Sequence, residues 1–457
     1  MAASHASIGA FLSSPTVTFL KKSFVALLIA LALIVLISPG IVGRLAEQSM
    51  DENLDWAASE NQDLAITSQG FDRGWFSSEG QHRIEINDGE LRDFLLSFTD
   101  EENPGDVPAL IIDTRLDHGP IPFTSMAREH GTLRPGLGSA VSTLRVEFEN
   151  GDALNLPGAI YSNVGITGEL KSNYLVEPGS IDVDGVRFRW GDSDILLTSN
   201  PADGRIRIRG ALDAISIEAR NETIALSAVK VFADQVPGRF GFPVGSISAS
   251  VASIDVTSAG DSMLVGPLDF ATSASIAGDR LSGETRLRLD NAPLDPFGAA
   301  NIVVELRLEN ADGMAFGRIQ RSLKTIPAEL HPGAAMAAIE ADVQQLLAAG
   351  LQLHVAHLDV ELPSGTIATT SNIVLGATDP QRFTWVAALL ALDATLDVAI
   401  PEDVMDFITA WNNTARAAVG LGYLQKNGTV YESHVEVSNG VLTINGAPMQ
   451  IPLSGLR

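Results

Sequence analysis

The chain has 457 residues, 45% of them hydrophobic, with 56 Asp and Glu against 30 Lys and Arg, a formal charge of −26 and no cysteine. That is ample material for a core, and it excludes wholesale disorder, a disulfide-stapled scaffold, thiolate metal sites and thiol nucleophiles. The acidic balance also excludes a nucleic-acid binder, because a phosphate backbone demands a basic surface.

Residues 1–22 read as a cytoplasmic tail and residues 23–43 as a membrane anchor. From Ser23 to Gly43 there is no charge, and Phe24 to Ile37 is unbroken apolar sequence. Twenty-one residues at the helical rise span roughly 31 Å, about one bilayer core. Lys21 and Lys22 precede the segment, and no acidic residue occurs before Glu47. The excess of positive charge on that side predicts a cytoplasmic N-terminus, with everything beyond the segment exported. A cleaved signal peptide is the competing reading, since Ser38-Pro39-Gly40 offers small residues at a cleavage spacing. Against it stand Pro39, the lack of an A-x-A, and the continuation of the apolar run through Ile41 and Val42. A buried core helix is disfavoured, because the segment is apolar all round.

Residues 44–64 read as an acidic helical stalk, and residues 65–457 as a β-rich periplasmic domain with a candidate subdivision near 310–330. The dominant signal is period two, as in HRIEI from His82, LRVEF from Leu144, VRFRW from Val186, RIRIR from Arg205 and TRLRL from Thr285. Tight-turn pairs interrupt these runs, among them Asp184-Gly185, Asp203-Gly204 and Asn439-Gly440. The period switches to 3.6 twice. Gly333 to Ala349 carries Met336, Ile339, Val343, Leu346 and Leu347 on one stripe, with Gly350 as its stop. A second helix opens at Pro401-Glu402-Asp403 and sets Val404, Phe407, Ile408, Trp411 and Ala415 on one face. Both stripes are expected to dock on the sheet. The predicted fold class is α+β, predominantly β: a large antiparallel, meandering, twisted sheet with two or more helices in the C-terminal third.

Three motifs occur in order. Gly74, Trp75, Phe76, Ser77 and Ser78 precede the first clear strand; His118, Gly119 and Pro120 follow the strand ALIIDTRL; and the last strand ends in Asn445 and Gly446. Read from the residues alone these are structural: a turn before an aromatic plug, turn chemistry that ends a strand, and a hairpin signal. With the N-terminal anchor, their order resembles the YdgA-like family of Gram-negative envelope proteins over nearly the whole chain. The resemblance implies an inner-membrane, periplasmic protein of undefined biochemical function, and supplies no catalytic residue.

No catalytic, cofactor or metal site is nominated. The pair His354 and His357 would share a face on a helix, but LQLHVAHLDVEL alternates as a strand, in which i and i+3 point oppositely. Asp182-x-Asp184-Gly185 reads as a hairpin rather than a calcium loop. The candidate contact residues are seven arginines at alternate positions: Arg187 and Arg189, Arg205, Arg207 and Arg209, and Arg286 and Arg288. Were their strands adjacent, they would make a basic stripe for lipid phosphates or an acidic partner; the alternative is a solvated face paired with neighbouring carboxylates. The functional expectation is a non-enzymatic envelope protein that binds lipid or another envelope component in a β-sheet groove. The alternatives are an interaction module that organises envelope proteins, with a homodimer among its arrangements, and, ranked last, a periplasmic hydrolase.

Overall fold

The computed structural model describes residues 64–449, apart from 74–76, 88–91, 93–108, 119–137, 148–152, 166, 184–185, 201, 220–221, 259–260, 295 and 326–331. The candidate tail, the anchor and the stalk up to residue 63, together with Gly74, Trp75, Phe76, Gly119 and Pro120, lie outside the described residues, while Leu64, the last residue assigned to the stalk, begins a strand. Among the described residues no helix is long and apolar enough to cross a membrane.

The contact pattern divides the chain into two units. Unit 1 comprises residues up to Val236 together with Ala252–Met263; unit 2 comprises Pro237–Val251 and everything from Leu264 onward. Residues 310–330 therefore lie inside unit 2.

Unit 1 is a meander. Its strands are β1 (Leu64–Arg73), β2 (Ser77–Ile86), β3 (Ala109–His118), β4 (Gly138–Glu147), β5 (Ala153–Asn155), β6 (Ala159–Val164), β7 (Leu170–Val176), β8 (Gly179–Val183), β9 (Val186–Trp190), β10 (Ser193–Asn200), β11 (Arg205–Ala219) and β12 (Glu222–Pro237), with β14 (Ser253–Ser258) paired to β12. Neighbours pair antiparallel throughout, from β1 with β2 to β11 with β12. The pairs β7–β10 and β8–β9 continue a single register, so residues 170–183 and 186–199 form two arms of one long hairpin. Side-chain alternation inverts part-way along it. Ile208 and Leu212 are buried on one face of β11, Ile215 and Ile217 on the other, while Gly191 and Asp192 keep the ladder to Ala214 and Asp213 intact. Ala228, with φ +48°, lies across from this inversion on β12.

Unit 2 is also an antiparallel meander. Its strands are β13 (Pro243–Val251), β16 (Leu268–Ala277), β17 (Arg280–Leu294), β18 (Gly298–Asp312), β19 (Leu351–Leu362), β20 (Gly365–Leu375), β21 (Leu392–Pro401), β22 (Gln425–Asn427), β23 (Val430–Ser438), β24 (Val441–Ile444) and β25 (Ala447–Met449), while β15 (Asp261–Val265) crosses the point of division. The pairing order is β13, β16, β17, β18, β19, β20, β21, β23, with β22 and β24 sharing the second edge of β23. Asn439 and Gly440 both have positive φ, as a two-residue hairpin loop requires, and so do Asn445 and Gly446. The second pair does not end the last strand, as the sequence suggests, but turns it into β25.

Among the described residues of unit 2 the α-helices are α1 (Gly313–Thr325), α2 (Pro332–Ala348), α3 (Trp385–Leu390), α4 (Glu402–Trp411) and α5 (Asn413–Gly420). The sequence reading anticipates α2 and its stop at Gly350, whose φ is +77°, but not α1, which Asp312 caps by accepting from the Ala315 N–H at 2.8 Å. The second predicted helix needs correction. Asn412 leaves the helical region and accepts from the N–H groups of Thr414 and Ala415, so the segment breaks into α4 and α5. Its docked side is Val404 and Met405, both buried, with Ile408; Phe407 and Trp411 are 44% and 66% exposed.

Candidate functional site

Cross-strand partners share a face, so the register of unit 2 assigns its side chains to two faces. On one, mainly apolar residues line up in rows across the strands. One row runs Thr272, Thr285, Leu306, Val355, Ser371, Leu396, Val435, Ile444, and a parallel one begins Phe270, Leu287, Val304, Leu358. Two helical clusters sit on this face at opposite ends of the strands. At one end Phe316 of α1 and Leu346 of α2 pack with Phe242, Leu281, Leu308 and Ala311, and the rings of Phe242 and Phe316 meet edge-on at 5.4 Å. At the other, Val404 and Ile408 of α4 pack with Ala300, Val360, Leu362 and Ile400. Leu306, Val304, Leu287, Val355 and Leu396 belong to neither cluster and stay partly open to solvent, and Leu358 is 45% exposed. The result is a trough with an apolar floor between two helical walls. At strand spacing the first row crosses eight strands over roughly 34 Å, with Thr272, Thr285 and Ser371 among its apolar residues.

The other face is polar. Thr370, Asp397 and His434 form one row across β20, β21 and β23, and Ala368, Ala399, Glu432 and Gln425 form the next. Together with Lys426, Asn427 and Asn445 they line a cavity of about 540 Å³. His434 Nδ1 lies 2.6 Å from Asp397 Oδ1. Asn427 Nδ2 donates to Glu432 Oε2 at 3.1 Å, and Lys426 Nζ is ion-paired with Glu402. That contact is the main cause raising the Lys426 pKa above its ordinary value. Asn445 fixes the corner: its Oδ1 accepts from the His434 N–H at 2.8 Å, and its Nδ2 donates to the carbonyls of Gly422 and Tyr423.

A His and Asp pair invites a test for nucleophilic catalysis. Thr370 pairs with Asp397 on the strand away from His434, and Ser433 pairs with Val398, while both Thr370 and Ser433 line the same cavity. Among the described residues no group of three His, Cys, Asp or Glu is arranged to hold a metal.

The comparison with known proteins bears on the whole chain. Residues 20–452 match a family described as "Bacterial protein of unknown function (DUF945)". The chain belongs to that family. No curated protein and no solved structure matches it. The match covers both units of this DUF945 chain and takes in the apolar segment 23–43.

The seven arginines are divided between the units, five in unit 1 and two in unit 2. Arg187 pairs with Asp182 at 3.2 Å, and Arg189 with Glu218 at 2.7 Å. Arg205 and Arg207 converge on Asp234 at 3.1 and 2.6 Å, and Arg209 sits 6.0 Å from the Phe232 ring centre. Arg286 contacts Glu284 and Glu305, and Arg288 contacts Asp290. Six of the seven thus have a carboxylate neighbour. Of the motif residues, Ser77 and Ser78 open β2 and His118 closes β3, their side chains lying outside the described part. His354 and His357 do not point to opposite faces as the alternation suggests. Val355 pairs with Leu306 and His357 with Glu305, so Ala356 is an extra residue, and both histidines fall on the face of Arg307 and Glu305.

The sequence reading missed the Asp397 and His434 pair. The two lie 37 positions apart, and only the register of β21 with β23 joins them.

Proposed function

We propose that this DUF945 protein is a non-enzymatic lipid-binding protein of the bacterial envelope, anchored in the inner membrane by residues 23–43, with its N-terminus in the cytoplasm and its β-rich units in the periplasm. The observation that carries the reading is the trough of unit 2, where Leu306, Val304, Leu287, Val355 and Leu396 stay partly open to solvent between two helical clusters. A contiguous apolar surface of this kind marks a site for an apolar ligand, and an elongated one suits acyl chains. The uncharged segment at 23–43 supports a membrane setting, as does the resemblance of the three motifs to the YdgA-like family of envelope proteins. The arginines are not assigned to lipid phosphates in this reading, since carboxylates already offset six of them.

The test labels the full chain in native membranes with a photoactivatable palmitate, then maps the adducts by peptide mass spectrometry. Adducts should concentrate on peptides holding Leu306, Val355 and Leu396. Adducts restricted to residues 23–43, or scattered evenly over both units, would refute the trough as a lipid site.

A further inference from the structure

We infer that the cavity on the polar face of unit 2 is a saccharide-binding site, selective for a pyranose that carries an amino group. It lies on the face opposite the trough and is independent of the lipid reading.

The recess arises from side-chain size. Ala368 and Ala399 face each other across β20 and β21, and their short side chains leave a low floor. Asp397 and His434 stand in the row on one side, and β22 brings Gln425, Lys426 and Asn427 up on the other. The volume of about 540 Å³ falls inside the range of roughly 300–1,000 Å³ of small-molecule sites.

The lining fits a sugar in three respects. Hydroxyl groups both donate and accept, and the wall offers acceptor carboxylates beside donor amides. The contacts with His434 and Asn427 each engage one oxygen of Asp397 and Glu432, so each carboxylate has a second oxygen for a ligand. The alanine methyl groups provide an apolar floor for ring C–H groups. Charge then sets the preference. Lys426 is already offset by Glu402, whereas Asp397 and Glu432 both face the cavity. An ammonium group is favoured there and a carboxylate rejected, and the −26 charge of the chain acts in the same direction.

The test is titration calorimetry of the full chain, in detergent at pH 7, with the β-1,4-linked dimer of glucosamine, its N-acetylated form and cellobiose. The amino dimer should bind saturably, and at least about fivefold more tightly than the other two. Asp397→Asn and Glu432→Gln, isosteric changes at exposed positions, should each weaken it about tenfold, equivalent to about 1.4 kcal/mol. Ala399→Leu fills the floor and should abolish binding. Circular dichroism and thermal melting verify that each variant is folded. No saturable heat from the amino dimer, equal affinity for the three sugars, or binding unchanged in both carboxylate variants would overturn the assignment.

Discussion

At the scale of single residues, the most consequential buried polar group is Tyr174 on β7. Its hydroxyl donates to the Pro157 carbonyl at 2.6 Å, and the residue is only 8% exposed. Burial disfavours the phenolate, and the pKa is pushed up to about 12. The unfolded chain releases this proton near pH 10, the folded chain near pH 12, so the stability tied to Tyr174 is complete below pH 10 and is lost as pH rises through 12. A two-unit shift corresponds to about 3 kcal/mol. Tyr174→Phe should cost about 1 kcal/mol at pH 8 through the lost hydrogen bond, and should flatten the decline above pH 10. Urea unfolding of both proteins at pH 8, 10 and 11.5 checks this; curves that fall in parallel would remove Tyr174 as the cause. Residues of this kind differ in how far sequence reveals them. Asn439-Gly440 is legible because the turn depends on those two residues alone. Asp397 and His434 are not, because what joins them is a strand register set elsewhere in the sheet.

Among the elements, α1 illustrates a packing requirement that the period of its sequence does not announce. A β-carbon added at Gly317 would lie 2.4 Å from the Phe240 carbonyl oxygen, and one at Gly313 would lie 2.6 Å from the Phe240 ring. The helix can approach the β13 side of unit 2 only with glycine at these places. Gly317→Ala should therefore destabilise the protein by about 1–3 kcal/mol, despite alanine's better helix propensity. At Gly420, the last residue of α5, an added β-carbon meets nothing within 4 Å, and Gly420→Ala should be neutral or stabilise by up to about 1 kcal/mol. Paired thermal melts decide the matter, and equal shifts for the two variants would show that backbone propensity, not contact with Phe240, governs α1. The same scale explains two departures from the sequence reading. Period-two alternation carries no mark of an inserted residue, so the bulge at Ala356 and the shared face of His354 and His357 were hidden. The 3.6 period runs on through Asn412, yet its side chain caps the next helix and stops the first.

For the whole molecule, what sequence shows best is what sums over many residues: the predominance of strands, the meander implied by short turns, and the net charge. The arginines were harder to judge, because a basic stripe depends on which carboxylates lie across the ladder, as Asp234 does for Arg205 and Arg207 and Glu218 for Arg189. Exposed pairs of this type contribute about 0–1 kcal/mol each, so their effect is to level the surface potential more than to stabilise the fold. Charge beside the apolar segment leads to a further prediction. Lys21 and Lys22 precede residues 23–43, whereas Arg44 is the only basic residue among the 21 that follow. That asymmetry predicts that everything beyond the segment is carried across the inner membrane. Alkaline phosphatase, which is active only outside the cytoplasm, should be active when fused after Arg457, and green fluorescent protein exported through the same route should stay dark there. Bright fluorescence with an inactive phosphatase would place both units in the cytoplasm and remove the basis for an envelope role. The trough and the polar cavity would then need ligands available on that side of the membrane.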